Sequence, residues 1–258
     1  MCFDTYDAIS QTEWASSMGG VDESEWRRAM GLVHSRTFRV HLDAHATAQL
    51  QHEEHAESDT LRLMVPVLDQ ANQSDSSHPQ TVDWEIESEK GYMILRTTSS
   101  VAAGDELLTS YGGKSNEITL LYYGFLQENN PAESVPLFES IEHARKWAES
   151  AEVRKSQTIE DKAEEECPLP LKRGDGCSLS KECEVDEPLV RAIMESTGKE
   201  DMVSCGRLLQ ARCGELIKAL PTSLADDCEL LQSGHADSIV HFRKLRKEIL
   251  HEFLALQL

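Results

Sequence analysis

The chain has 258 residues, enough for one large domain or two small ones and too few for a multidomain enzyme. Hydrophobic residues make up 40% and charged residues 28%, which supports a buried core and excludes wholesale disorder. With 46 acids against 25 bases the formal net charge is −21, a field that repels nucleic-acid backbones and anionic membranes and attracts basic protein segments.

The first twenty residues, MCFDTYDAISQTEWASSMGG, have neither the basic nor the apolar region of a signal peptide, and no run of about 18 apolar residues occurs anywhere. An intracellular, monomeric protein that binds neither nucleic acid nor membrane is expected, and residues 1–23 read as a polar, weakly structured stretch. In SEWRRAMGLVHSRTF, Trp26, Ala29, Met30 and Val33 fall at helical spacing behind Ser24, which predicts a short amphipathic helix ending near His34, followed by a loop. Residues 39–59 are polar and rich in histidine, the composition of an exposed insertion. LRLMVPVLDQANQS then gives a short buried segment, broken by Pro66, that opens into a turn-rich loop.

The β signal is clearest over residues 81–111. TVDWEIES and GYMILRTT alternate around Glu89, Lys90 and Gly91, and a turn at Ala103-Gly104-Asp105 precedes another short strand, so a hairpin with a third strand is expected. SNEITLLYYGF suits a helical turn behind Ser115 that stops at Gly124. The polar segment starting at Ile141 reads as a peripheral excursion running into CPLPLKRGDG. PLVRAIMEST, GRLLQARCGELIKAL and SIVHFRKLRKEILHEFLAL are amphipathic, the last with Ile239, Phe242, Leu245, Ile249 and Leu250 as its expected buried stripe.

Metal chemistry finds little support. The seven cysteines include no CxxC pair, and the spacings among Cys167, Cys177 and Cys183 fit no common zinc template, so free thiols are expected. His41 and His45 are four apart and His52 and His55 three apart, but HEEH lacks the HExxH arrangement and a third ligand; a solvated loop is the simpler reading. No metal is expected. Asn72-Gln73-Ser74 satisfies the N-x-S glycan pattern without the secretory signal that glycosylation requires.

One ordered constellation is more specific: S-R-x-F at Ser35-Arg36-Thr37-Phe38, V-P-x-x-D-x-x-N-x-S from Val65 to Ser74, G-D-E-L-L-x-S-Y-G-G-K-S-N from Gly104 to Asn116, and L-L-Y-Y-G-F from Leu120 to Phe125. Together these motifs resemble the SET-domain protein methyltransferases, in the Rubisco large-subunit methyltransferase-like branch. The resemblance covers about residues 24–128 and, more loosely, about 185–252, where LPTSLADDCELLQ and FRKLRKEIL resemble the branch's helical substrate-binding domain.

The resemblance implies an α+β fold: a partial SET β-clasp with an inserted helical segment over residues 1–128, then an all-α C-terminal domain over 139–258; Asn129-Asn130-Pro131 and Pro136 interrupt both patterns and put the boundary near 129–139. It implies an S-adenosylmethionine-dependent protein-lysine N-methyltransferase, with Tyr111 catalytic, Asn72, Gln73 and Arg36 toward the cofactor, and Ser35, Phe38 and Tyr123 toward the substrate. A lysine-bearing protein, on a basic segment, is the implied partner. Two departures stand out: Gln73 replaces the histidine of the family's usual N-H-S, and residues 1–23 contain no match to the glycine-rich segment that opens the family's SET domain. The chain is therefore expected to lack the first strands of that domain. A catalytically inactive protein-binding module and a histidine methyltransferase are the alternatives that remain open.

The residue types suit the implied chemistry. Methyl transfer to an amine needs a channel that desolvates the ammonium, lowers its pKa and aims the lone pair. Aromatic faces tolerate a cation, and a phenolic oxygen orients an amine. An isolated Tyr-Gly-Phe, by contrast, is ordinarily a packing element.

Overall fold

A computed structural model describes residues 2–41, 60–87, 92–150, 169–173, 176–199, 201–234 and 237–258. The chain separates into two compact units, Met1–Gly112 with Ile118–Asn129 and Gly113–Glu117 with Asn130–Leu258. Residues 42–59 of the histidine-rich segment, the turn around Lys90, Cys167 and the polar stretch after residue 150 lie outside the described residues; residues 39–41, read as part of that exposed insertion, are in a strand in which Val40 is buried.

The first unit opens with three helices: α1 (Cys2–Ser10) and α2 (Glu13–Ser17), where a weakly structured stretch was expected, and α3 (Glu23–Arg36), the helix expected from the apolar spacing. The starts of α2 and α3 are capped from the side chain. Thr12 accepts from the amide of Ala15, and Asp22 accepts from the amides of Ser24 and Glu25, at 2.9 and 3.0 Å. Asp22 is thus the cap that the sequence placed at Ser24. Gly19 and Gly20, with φ of +83° and +99°, turn the chain between α2 and α3.

α3 runs past His34 and passes directly into strand β1 (Thr37–His41), with no intervening loop. None of its residues is buried, so the predicted apolar stripe is only partly covered.

β1 pairs antiparallel with β2 (Thr60–Met64), Phe38 opposite Leu63. A single 3₁₀ turn (Leu68–Gln70) leads to the two-residue strand β3 (Asn72–Gln73). β4 (Val82–Glu87) and β5 (Tyr92–Thr97) form the expected hairpin, with Trp84 opposite Leu95. The expected third strand, β6 (Leu108–Thr109), does not extend that ladder. It pairs parallel with β3, Asn72 opposite Leu108 and Gln73 opposite Thr109. Helix α4 (Asn116–Tyr123) ends at Gly124, whose φ of +78° serves the left-handed stop that residue allows.

The second unit departs from the all-α expectation. Strands β7 (Ser134–Pro136), β8 (Leu171–Lys172), β9 (Ser178–Ser180) and β10 (Val185–Asp186) form a four-stranded sheet in the order β7-β9-β10-β8. These strands are two or three residues long, too short to show alternation in sequence. Around them lie α5 (Ile141–Ala148), α6 (Glu187–Thr197), α7 (Met202–Ala219), α8 (Leu224–Gln232) and α9 (Ser238–Leu254). α5 falls in the segment read as peripheral, yet Ala144 and Ala148 are fully buried. The core runs from Val135 and Leu137 through Leu179, Val185, Leu189, Ile193 and Leu209 to Phe253.

On α9 the buried residues are Val240, Lys247, Ile249, Leu250 and Phe253, while Ile239 is half exposed. Lys247 donates to Asp227 Oδ2 at 2.5 Å, Thr222 Oγ1 at 2.7 Å and the carbonyl of Ser223 at 3.1 Å, and Arg243 pairs with the other oxygen of Asp227. Burial by itself would raise the Asp227 carboxyl, but the hydrogen bonds and charges of Arg243 and Lys247 outweigh it and hold the group below its ordinary range. This cluster fastens α8 and its capping turn to α9.

Candidate functional site

Within the first unit, four separate stretches of chain converge on one cavity of about 290 Å³, lined by Ser35, Arg36, Asp69, Asn72, Gln73, Tyr111, Tyr123 and Phe125. Ser35 and Arg36 end α3, Asp69 lies in the 3₁₀ turn, Asn72 and Gln73 form β3, and Tyr123 ends α4. Tyr111 follows β6 closely, so the short parallel pairing of β3 with β6 brings it beside Asn72 and Gln73.

The contacts are specific. Gln73 Oε1 accepts from the amide of Tyr111 at 2.5 Å, and its Nε2 donates to the carbonyl of Ser74 at 2.7 Å, so both ends of that side chain are engaged by protein. The Tyr111 hydroxyl donates to the carbonyl of Ala71 at 3.0 Å. The Arg36 guanidinium donates to the carbonyl of Asp69 at 2.5 Å. Preceding that turn, Val67 has φ of +76°, a conformation costly for a β-branched residue, and its side chain is exposed. Asn72 Nδ2 donates to Glu106 Oε1 at 2.5 Å.

An aromatic wall closes one side. Tyr111 and Tyr123 have ring centroids 4.9 Å apart at 34°, and Phe125 sits edge-on to both, at 6.4 and 6.2 Å. Gly124 turns the chain so that Phe125 returns to the ring of Tyr123. Burial raises the Tyr111 phenol, reinforced by Tyr123 and Glu106 and opposed by the positive charge of Arg36. Burial likewise raises Tyr123, opposed by Arg62. Both phenols are therefore neutral at physiological pH and keep their O–H donors.

Of the residues singled out from sequence, Ser35, Arg36, Asn72, Gln73, Tyr111 and Tyr123 line this cavity, and Phe38 does not. Phe38 instead packs edge-to-face on Trp84, centroids 5.4 Å apart, as an inter-strand contact. Sequence reasoning passed over Asp69, Phe125 and Glu106 as site residues, although all three lie inside the quoted motifs. Among the described residues no group of three or more His, Cys, Asp or Glu is placed to hold a metal ion. Among those same residues, no helix is long and apolar enough to cross a membrane.

No family model matches the chain. Ribosomal lysine N-methyltransferase set10 of Schizosaccharomyces pombe is 30% identical over 87 residues, a stretch that covers 33% of this chain and 15% of that protein. The chain is similar to a lysine methyltransferase. Among solved structures, the SET domain of LSMT bound to lysine and AdoHcy aligns at a TM-score of 0.48 with 17% identity. Rubisco LSMT bound to sinefungin and monomethyllysine aligns at 0.46 with 16%. Each alignment covers 91% of this chain and 54% of the solved one, so the chain spans about half the length of those structures.

Proposed function

We propose that this chain carries the site of an S-adenosylmethionine-dependent protein-lysine N-methyltransferase of the SET type, in the Rubisco large-subunit methyltransferase-like branch. The observation that carries this reading is the convergence on one cavity of residues from all four ordered motifs: Ser35 and Arg36, Asn72 and Gln73, Tyr111, and Tyr123. The 30% identity to a ribosomal lysine methyltransferase supports it independently.

The donor set fits the cofactor. Its carboxylate calls for a cation, which Arg36 provides; its ammonium calls for acceptors, which the Asn72 amide and the Asp69 carboxylate provide; its sulfonium calls for electron-rich faces, which the tyrosine rings provide. A cavity of about 290 Å³ is at the lower end of the range for drug-sized ligands. S-adenosylmethionine bound there supplies an electrophilic methyl carbon on a sulfonium sulfur.

The remaining chemistry belongs to the chain's own side chains. A lysine amine attacks only in its uncharged form, and the half-buried pair Tyr111 and Tyr123 forms a wall of low polarity that disfavours the ammonium. The Tyr111 oxygen, fixed by its bond to the carbonyl of Ala71, is placed to accept a hydrogen bond from the amine and aim its lone pair. Residues 139–258 are assigned to substrate engagement, and the net charge of −21 favours a basic target segment inside the cell.

Transfer of a labelled methyl group from S-adenosylmethionine to lysine-bearing protein tests the assignment. Tyr111→Phe removes one hydroxyl and is expected to lower transfer by at least about 100-fold while leaving the chain folded. Undiminished transfer by that variant would refute the role given to Tyr111.

A further inference from the structure

Resting on that reading of the cavity, we propose that Glu106 is a positioning residue for Asn72: its carboxylate fixes the orientation of the Asn72 amide and thereby sets affinity for S-adenosylmethionine. Asn72 Nδ2 donates to Glu106 Oε1 at 2.5 Å, across the parallel pairing that sets Asn72 opposite Leu108.

The backbone that carries Glu106 is held on both sides. Before it lies a tight turn, in which Gly104 takes φ of +99° and Asp105 accepts from the amide of Ala102 at 3.2 Å. After it, the amide of Leu108 donates to Thr81 Oγ1 at 2.8 Å, and its carbonyl accepts from the amide of Thr81 at 2.9 Å. The carboxylate is therefore presented from a fixed point, and it selects one of the two orientations of the amide.

The chemistry follows from the amide's planarity. Once Nδ2 is committed to a carboxylate, Oδ1 becomes the acceptor that Asn72 retains, and no described residue donates to it. An acceptor in a fixed direction suits the ammonium end of an α-amino acid. Without Glu106 the amide turns over freely, and its NH₂ group meets the same cation unfavourably. Both Asn72 and Glu106 are exposed, so their bond adds little to folding and its loss falls on binding.

A double-mutant cycle read by calorimetric titration separates this role from others. S-adenosylmethionine is titrated into the wild type, Asn72→Ala, Glu106→Ala, Glu106→Gln and the Asn72→Ala/Glu106→Ala double variant, with thermal unfolding recorded for each. Glu106→Ala and Asn72→Ala are each expected to weaken binding about 10-fold, and the double variant no further than Asn72→Ala alone. Glu106→Gln, which still accepts but without charge, is expected to fall between wild type and Glu106→Ala, and the unfolding midpoint of the Glu106 variants stays at the wild-type value. In the free protein the side-chain NH₂ resonances of Asn72 are expected to move when Glu106 becomes Gln.

Wild-type affinity in both Glu106 variants, or losses that multiply in the double variant, would overturn the proposal and leave the cavity assignment standing. Multiplying losses would mean that Glu106 attracts the cofactor's positive charge by itself. A folded wild type that binds no cofactor would overturn the cavity reading, and the proposal with it.

Discussion

Each of the two units of this chain owes its internal stability to different interactions. The second has a continuous apolar core, from Val135 to Phe253, reinforced by the buried Asp227, Lys247 and Arg243 cluster. Among the described residues the first buries a scattered apolar set, Ala15, Val40, Leu68, Ala71, Val82 and Leu108, and the strands described there pair in twos. Two-stranded sheets are marginal by themselves and leave their edges open. The candidate site lies in this first unit, where hydrogen bonds and stacked rings do the positioning that packing does elsewhere. Geometry needed for chemistry and geometry needed for stability are thus carried by different residues, and single substitutions should separate them.

The largest effect is expected in the second unit. Asp227→Ala strands Lys247 as a buried charge and should lower that unit's unfolding free energy by about 3–5 kcal/mol in a denaturant titration, with the first unit's aromatic signals unmoved. Replacing Asp227 and Lys247 together by apolar residues should cost far less, because no unpaired charge remains. A cost for Asp227→Ala of under about 1 kcal/mol would place the cluster with ordinary surface pairs.

Acid should reach the same cluster. Because the Asp227 carboxyl is held below its ordinary value of 3.8, its contribution is fully present above that pH and disappears as the pH falls through the lowered folded value. Urea midpoints measured between pH 5 and 2 should therefore fall less steeply in Asp227→Asn than in the wild type.

The first unit responds at the other end of the scale. Tyr111 and Tyr123 are raised above 10.0, so the stability they contribute as neutral phenols is intact below that pH and is lost as the pH rises through the folded values. Absorbance titration of phenolate should find late-titrating groups, one of which vanishes in Tyr111→Phe and another in Tyr123→Phe. The Tyr111→Phe change itself should cost only about 0.5–1.5 kcal/mol, the value of one hydrogen bond to the carbonyl of Ala71.

How far the sequence could be read follows the same division. Long periodic elements were legible: the hairpin of β4 and β5 and helices α6, α7 and α9 all show in the pattern of apolar residues. The two-residue ladder of β3 and β6 has no period to detect, so the meeting of Asn72 with the segment of Tyr111, 39 positions later, was reachable only through the order of the motifs. Lys247 was missed as a core residue because its charge reads as solvent-facing until Asp227 is seen beside it. Helices α1 and α2 are short, and only the cap at Thr12, a side-chain acceptor at the start of α2, marks one of them in the sequence. Phe38 was misplaced because its motif position carries no information about Trp84, which joins it only across strands.

Whether the cavity of the first unit holds the cofactor is read out by calorimetric titration of S-adenosylmethionine and S-adenosylhomocysteine into the folded wild type and Asn72→Ala. Saturable binding of both ligands to the wild type, weakened about 10-fold or more by Asn72→Ala, is the predicted result. A folded wild type that binds neither ligand would contradict the cofactor assignment.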